Sequence, residues 1–110
     1  MKQKIFNTFT KLGFPAQTKG FDDALIAVEL LLTSPEKYSM VTKELYPAVA
    51  KIQNTTPSRV ERAIRHAVQR MLDKGNFDEI EKFFGTTYSL TNSQFLFTVM
   101  RRIKPGIEDA

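Results

Sequence analysis

The chain has no cysteine and no tryptophan, and His66 is its one histidine. Without cysteine there are no disulfides, thiol nucleophiles or thiolate metal sites. With one histidine a multi-histidine metal cage is excluded as well, so no metal and no cofactor is expected. Long apolar runs are also missing. The longest, Ala24 to Leu32, is interrupted by Glu29 and is far too short to span a bilayer. The opening stretch MKQKIFNTFT carries two lysines, but it has no continuous apolar segment and no small-residue cleavage site. The expectation is a soluble, cytoplasmic protein with no membrane partner, and the missing cysteines agree with that compartment. No internal repeat and no low-complexity run is visible.

What is present is an ordinary globular composition. The chain has 110 residues, 42% hydrophobic and 25% charged, with a net charge of +4. That is enough for one domain around one core. A single helical domain over 1–104 is expected, with 105–110 as a frayed, flexible tail.

Turn-forming residues divide the chain into six helical segments, near 3–12, 21–33, 46–53, 57–74, 77–84 and 92–103, and no stretch reads as a strand. The fold class expected is all-α, a compact six-helix domain. Ile5, Phe6, Phe9 and Leu12 share one stripe of the first segment. Gly13-Phe14-Pro15 stops it and Gly20 closes the following loop. The second segment is apolar around much of its circumference, which suits a central helix, and Asp22 and Asp23 suit its positive N-terminal end. In the third, Leu45, Val49 and Ile52 stand at helical spacing. Pro47 fits only if that helix starts near Tyr46, leaving the earlier residues as a separate turn or kinked extension. The fourth has Thr56 as N-cap, Pro57 at the first helical position and Gly75 as its stop.

The positive charge is local. From Lys43 to Lys74 there are seven basic and three acidic residues, an excess of four that equals the whole chain's. The fourth segment divides by face. Val60, Ala63, Ile64, Ala67, Val68, Met71 and Leu72 form a core stripe. Ser58, Glu61, Arg62, Arg65 and Gln69 form the opposite face, flanked by Arg59 and His66. Arginine can bond guanine O6 and N7 together, and glutamate can accept from cytosine N4–H. Thr and Ser at the start of the segment can donate to phosphates. The ordinary alternative is a solvated helix surface. The preceding short helix favours a helix-turn-helix over about 46–74. Ala50 is small where the helices would cross, Asn54 tolerates the left-handed turn, and Val49 and Val60 anchor the pair, with Ala63 small enough for close packing.

The segment LYPAVAKIQNTTPSRVERAIRHAVQRMLDKGNFDEIEKFFG, Leu45 to Gly85, resembles the C-terminal DNA-binding effector domains of the sporulation stage-zero master response regulator family of endospore-forming bacteria. The run SRVERAIRHA, Ser58 to Ala67, is the most specific part. LGFPAQTKGF, Leu12 to Phe21, and TNSQF, Thr91 to Phe95, are similar to two further family elements. The resemblance implies a transcription regulator that reads a TGTCGAA-like element of double-stranded promoter DNA, as two copies on tandem sites. It implies base reading by Glu61, Arg62 and Arg65, and backbone contact by Ser58, Arg59 and His66, to which Thr56 is added at the helix start. It also implies contact with an RNA polymerase sigma subunit through the segment Gln69 to Glu81, with Gln69, Lys74, Asp78 and Glu81 as its polar members. The loop before TNSQF is several residues shorter than is usual in the family. The family's full-length protein carries a phosphoacceptor receiver domain. No receiver is expected within these residues, because the effector resemblance occupies nearly all of them.

No enzyme is expected. His66 has no nucleophile or carboxylate fixed beside it by spacing. Asp78, Glu79 and Glu81 diverge around their helix and read as a solvated face rather than a metal site. On the last segment Phe95, Leu96, Val99, Met100 and Ile103 form a core stripe, with Phe97 off it; left exposed, Phe97 would mark a self-association surface. A reading from another class is a helical protein-interaction module that binds a receiver domain or a sigma factor without reading DNA. A nonspecific RNA binder is weaker still, since no aromatic-interleaved basic platform is present.

Overall fold

Four side chains start four of the helices. Thr18, Thr56, Asn76 and Thr91 each accept a hydrogen bond from the backbone N–H three residues further on, at 3.1, 3.3, 3.2 and 3.1 Å. Each satisfies an N–H that the helix itself leaves without a partner. The computed structural model describes residues 2–104. Among the described residues there are six α-helices and no strand: α1 (Lys2–Leu12), α2 (Lys19–Thr33), α3 (Tyr46–Gln53), α4 (Pro57–Lys74), α5 (Phe77–Phe84) and α6 (Asn92–Ile103). The expected tail at 105–110 lies outside the described residues.

The helices agree with the sequence reading except at the start of α2, and α3 begins at Tyr46 as expected. The segment before α3 is a π-helical turn, Val41–Leu45, that runs into α3 without a break. Pro47 has no N–H to offer the carbonyl of Lys43. The backbone instead passes through i→i−5 bonds, Leu45 N–H to Met40 O and Tyr46 N–H to Val41 O. The difference is Gly20. It does not close a loop; it lies inside α2, which begins at Lys19 behind the Thr18 cap. A Cβ at Gly20 would run into the Ala63 carbonyl and stand 2.6 Å from the Ala67 methyl. Glycine is required there by the close crossing of α2 and α4, not by chain reversal.

α2 runs through the middle of the fold, packed against α1, α3, α4 and α6. A phenylalanine cluster closes the core beside it. Phe14 lies 4.6 Å from Phe95 and 4.7 Å from Phe9, ring centre to centre, and Phe9 meets Phe21 edge-on at 5.3 Å. Phe84 of α5 adds to the stack against Phe95 at 5.7 Å. Each buried aromatic or aliphatic side chain contributes about 1.5–3 kcal/mol. The three ion pairs among the described residues each join an exposed basic side chain to a half-buried glutamate at the surface, each worth at most about 1 kcal/mol. Burial therefore holds the fold.

Two apolar side chains lie elsewhere than expected. Ile52 is 56% exposed, because the buried stripe of α3 is Tyr46, Val49 and Ala50, and Ile52 lies about 110° round the helix from its centre. Phe6 is half-exposed and meets Phe21 edge-on at 5.6 Å. Phe97, off the core stripe of α6, packs partly buried against the core rather than standing exposed.

Candidate nucleic-acid interface

α3 and α4 are joined by a tight turn at Asn54, whose backbone is left-handed at φ 55° and ψ 52°. Asparagine tolerates this better than most residues. The Thr55 N–H returns to the Ala50 carbonyl at 2.9 Å. Ala50 and Val49 of α3 and Val60 of α4 are buried at the crossing. Gln53, the last residue of α3, donates from Nε2 to Oδ1 of Asp23 on α2 at 3.2 Å. Asp23 is 4% exposed, so it is not the dipole-facing surface charge expected from its position. Desolvation pushes its carboxyl above the usual range; the Gln53 bond works against that, Asp22 adds to it and Lys19 opposes it. The end of α3 is thereby fixed to the central helix.

α4 then presents its polar face outward. Val60, Ile64, Ala67, Val68, Met71 and Leu72 are buried, while Ser58, Arg59, Arg62, Arg65, His66 and Gln69 are exposed. From Ser58 to His66 the face covers roughly 12 Å of helix axis. That is short enough to enter a major groove about 12 Å wide. Thr56 caps the helix with its hydroxyl oxygen, which leaves the hydroxyl proton free to donate outward. The positive end of the α4 dipole lies at the same place.

The three residues expected to read bases are not equivalent. Arg65 Nε donates to Glu61 Oε2 at 3.0 Å, an i,i+4 pair on the surface. Among the described residues Arg62 makes no ion pair. The Glu61–Arg65 pair is worth about 0.3–0.5 kcal/mol. A bidentate base contact is worth about 1–3 kcal/mol. The pair can therefore hold Arg65 in the free protein and yield on contact with DNA.

A polar cleft of about 570 Å³ separates the start of α2 from the helix-turn-helix, with Lys19, Asp22, Asn54, Arg59, Arg62 and His66 on its walls. Lys19 is the residue the sequence reading missed. The signal available was its place in the LGFPAQTKGF element, which gave no hint of the face it would join. Further along α4, Arg70 and Lys74 border grooves against the 13–18 loop.

Of the residues expected to touch polymerase, Lys74, Asp78 and Glu81 lie beyond these, whereas Gln69 is one turn from Arg65 on the same face of α4. Gln69 is exposed and donates to Asp73 at 3.1 Å. Lys74 is exposed at the end of α4, and Asp78 and Glu81 are exposed on α5. Glu79 is turned to Lys11 at 3.6 Å, so the three acids of α5 do not form one site. Among the described residues no three His, Asp or Glu side chains gather as metal ligands. No helix there is long and apolar enough to cross a membrane.

One further region touches this interface from behind. Asn92, the first residue of α6, donates from Nδ2 to the Tyr46 hydroxyl at 3.0 Å and to the Glu61 carbonyl at 3.1 Å. Burial raises the Tyr46 phenol above its ordinary pKa; the Asn92 bond lowers it in part and the Glu61 charge adds to the rise.

Residues 5–103 match the family model described as the C terminal of the sporulation initiation factor Spo0A. The match takes in all of α3 to α6, α2, and all but the first turn of α1. The all-helical fold agrees with that match, and the chain belongs to the Spo0A C-terminal family of DNA-binding effector domains that regulate transcription in sporulation.

Proposed function

We propose that the chain is a sequence-specific regulator that reads a TGTCGAA-like promoter element through α4. Arg62 and Arg65 take guanine edges and Glu61 accepts from cytosine. Thr56, Ser58, Arg59 and His66 hold phosphates, with Lys19 as an added backbone contact across the cleft. The observation that carries this reading is the exposed polar half-turn pattern from Ser58 to His66, backed by a buried stripe and held by a helix-turn-helix. Gln69, Lys74, Asp78 and Glu81 serve an RNA polymerase sigma subunit. The placement of Lys74, Asp78 and Glu81 at the far end of α4 and on α5 supports simultaneous use of both surfaces, with Gln69 at their border. Two copies occupy tandem DNA sites, and residues 1–104 act as one domain in the cytoplasm.

Gel shifts with a TGTCGAA duplex and a scrambled duplex, at one stated salt concentration, test the reading. Specific binding should be tighter by about 10³ or more. Glu61→Ala should weaken the specific complex and strengthen the scrambled one, because it removes both an acceptor and a repulsive charge. An equal gain on both duplexes would make Glu61 a mere surface charge. Equal wild-type affinity for both duplexes would end the base-reading proposal. Binding to neither would favour an interaction module.

A further inference from the structure

We propose that Asn92 is a positioning residue for base recognition: from the start of α6 it sets the seating of the recognition helix against the first helix of the pair. The proposal rests on the base-reading role of α4. Its amide has two protons, and both are used, one on the Tyr46 hydroxyl and one on the Glu61 carbonyl. Tyr46 opens α3 at the end remote from the Asn54 turn, and Glu61 lies in the second turn of α4. One side chain thus ties both helices of the pair to a third.

Two alternatives are weaker. Asn92 is not needed to start α6, because Thr91 and Gln94 already form a reciprocal cap at 3.1 and 2.9 Å. Nor is it needed to satisfy Glu61, whose carbonyl sits inside a continuous helix and is the acceptor for the Arg65 N–H. The Asn92 bond is an addition to a carbonyl that is already paired, which is what a device for orientation requires. It falls on the residue whose side chain also holds Arg65. Base contacts demand placement within about 0.5 Å. Phosphate contacts through long side chains fix register without carrying sequence and tolerate more movement. Loss of the Asn92 bonds should therefore harm specific binding while sparing nonspecific binding.

Wild type, Asn92→Ala, Asn92→Ser and Tyr46→Phe would be compared on the TGTCGAA duplex, a scrambled duplex and a pool of randomised duplexes, below each variant's melting temperature. For Asn92→Ala, the ratio of preferred to scrambled affinity should fall about tenfold, the scale of one lost base contact. Affinity for the scrambled duplex should move less than about twofold, because the phosphate contacts remain. Asn92→Ser keeps a donor and should recover part of the ratio. Tyr46→Phe keeps the Glu61 bond and should lose less than Asn92→Ala. An unchanged ratio with only a lower melting temperature overturns the proposal, as does a Tyr46→Phe loss equal to that of Asn92→Ala. Should the wild type select a different sequence from the pool, the TGTCGAA reading fails, yet the ratio on the selected sequence still decides the role of Asn92. A wild type that selects nothing ends base reading, and Asn92's role with it.

Discussion

Arg62 and Arg65 differ in what holds them before DNA arrives, and the difference gives them different tests. Arg62 stands beside the cleft with no ion pair among the described residues. Arg62→Ala should cost roughly 1–3 kcal/mol of specific binding and relax preference at one base pair, measurable by titration against single-substitution duplexes. Arg59→Ala should weaken specific and scrambled binding alike and reduce the salt slope by about one, because counterion release follows phosphate neutralisation whatever the sequence. Asp23 supplies a test by pH. Its carboxyl is raised above the ordinary 3.8. A raised acid favours folding below its unfolded value, and that contribution is lost as pH rises through the folded value. Asp23→Asn keeps an oxygen for Gln53 and has no charge to desolvate. Its stability relative to wild type should therefore increase as pH rises from below 3.8 toward neutrality, as read from denaturation midpoints. The face of α4 was legible because three- and four-residue spacing is a local signal. Asp23 was not, since its burial depends on a partner thirty residues away.

At the scale of elements, the crossing of α2 and α4 sets the tightest demand. Gly20→Ala gains about 1 kcal/mol of helix propensity. It also pushes a methyl into the Ala63 backbone and the Ala67 side chain. Forced overpacking costs typically about 1–3 kcal/mol, and backbone cannot yield as a flexible side chain can. The variant should melt lower than wild type, and it should bind the specific duplex more weakly because α4 carries the proposed reading face. A higher melting temperature would show that the crossing has room. This is also where local reading stopped. Gly20 reads as a breaker in any window around it, and only the approach of α4 explains a glycine inside α2. The bounds of the two segments before and after Asn54 were legible, since cap, proline and turn residue all speak locally, but the exposure of Ile52 was not. The π-helical turn at Val41–Leu45 was anticipated only as a separate turn or a kinked extension.

For the whole molecule, the number and order of helices followed from punctuation along the chain, but their arrangement did not. Nothing local says that the start of α6 touches the back of α4, or that phenylalanines from α1, α2, α5, α6 and the 13–18 loop meet in one cluster. Phe95 is fully buried at the centre of that cluster, in contact with Phe9, Phe14 and Phe84. Phe95→Ala should cost about 3–5 kcal/mol, which for a chain of this size lowers the melting temperature by some tens of degrees at most and at least by about 10 °C. Calorimetry would show it, and a loss under 1 kcal/mol would mean that the cluster can collapse around the gap. The helix junction has an optical consequence too. With no tryptophan to mask them, the chain's three tyrosines dominate its near-ultraviolet absorption and emission. Tyr46 is the buried one, bonded to Asn92 where α3, α4 and α6 meet, whereas Tyr88 stands in solvent. The protein thus carries an intrinsic chromophore at the junction behind its arginine face, and changes there can be followed by light without attaching a label.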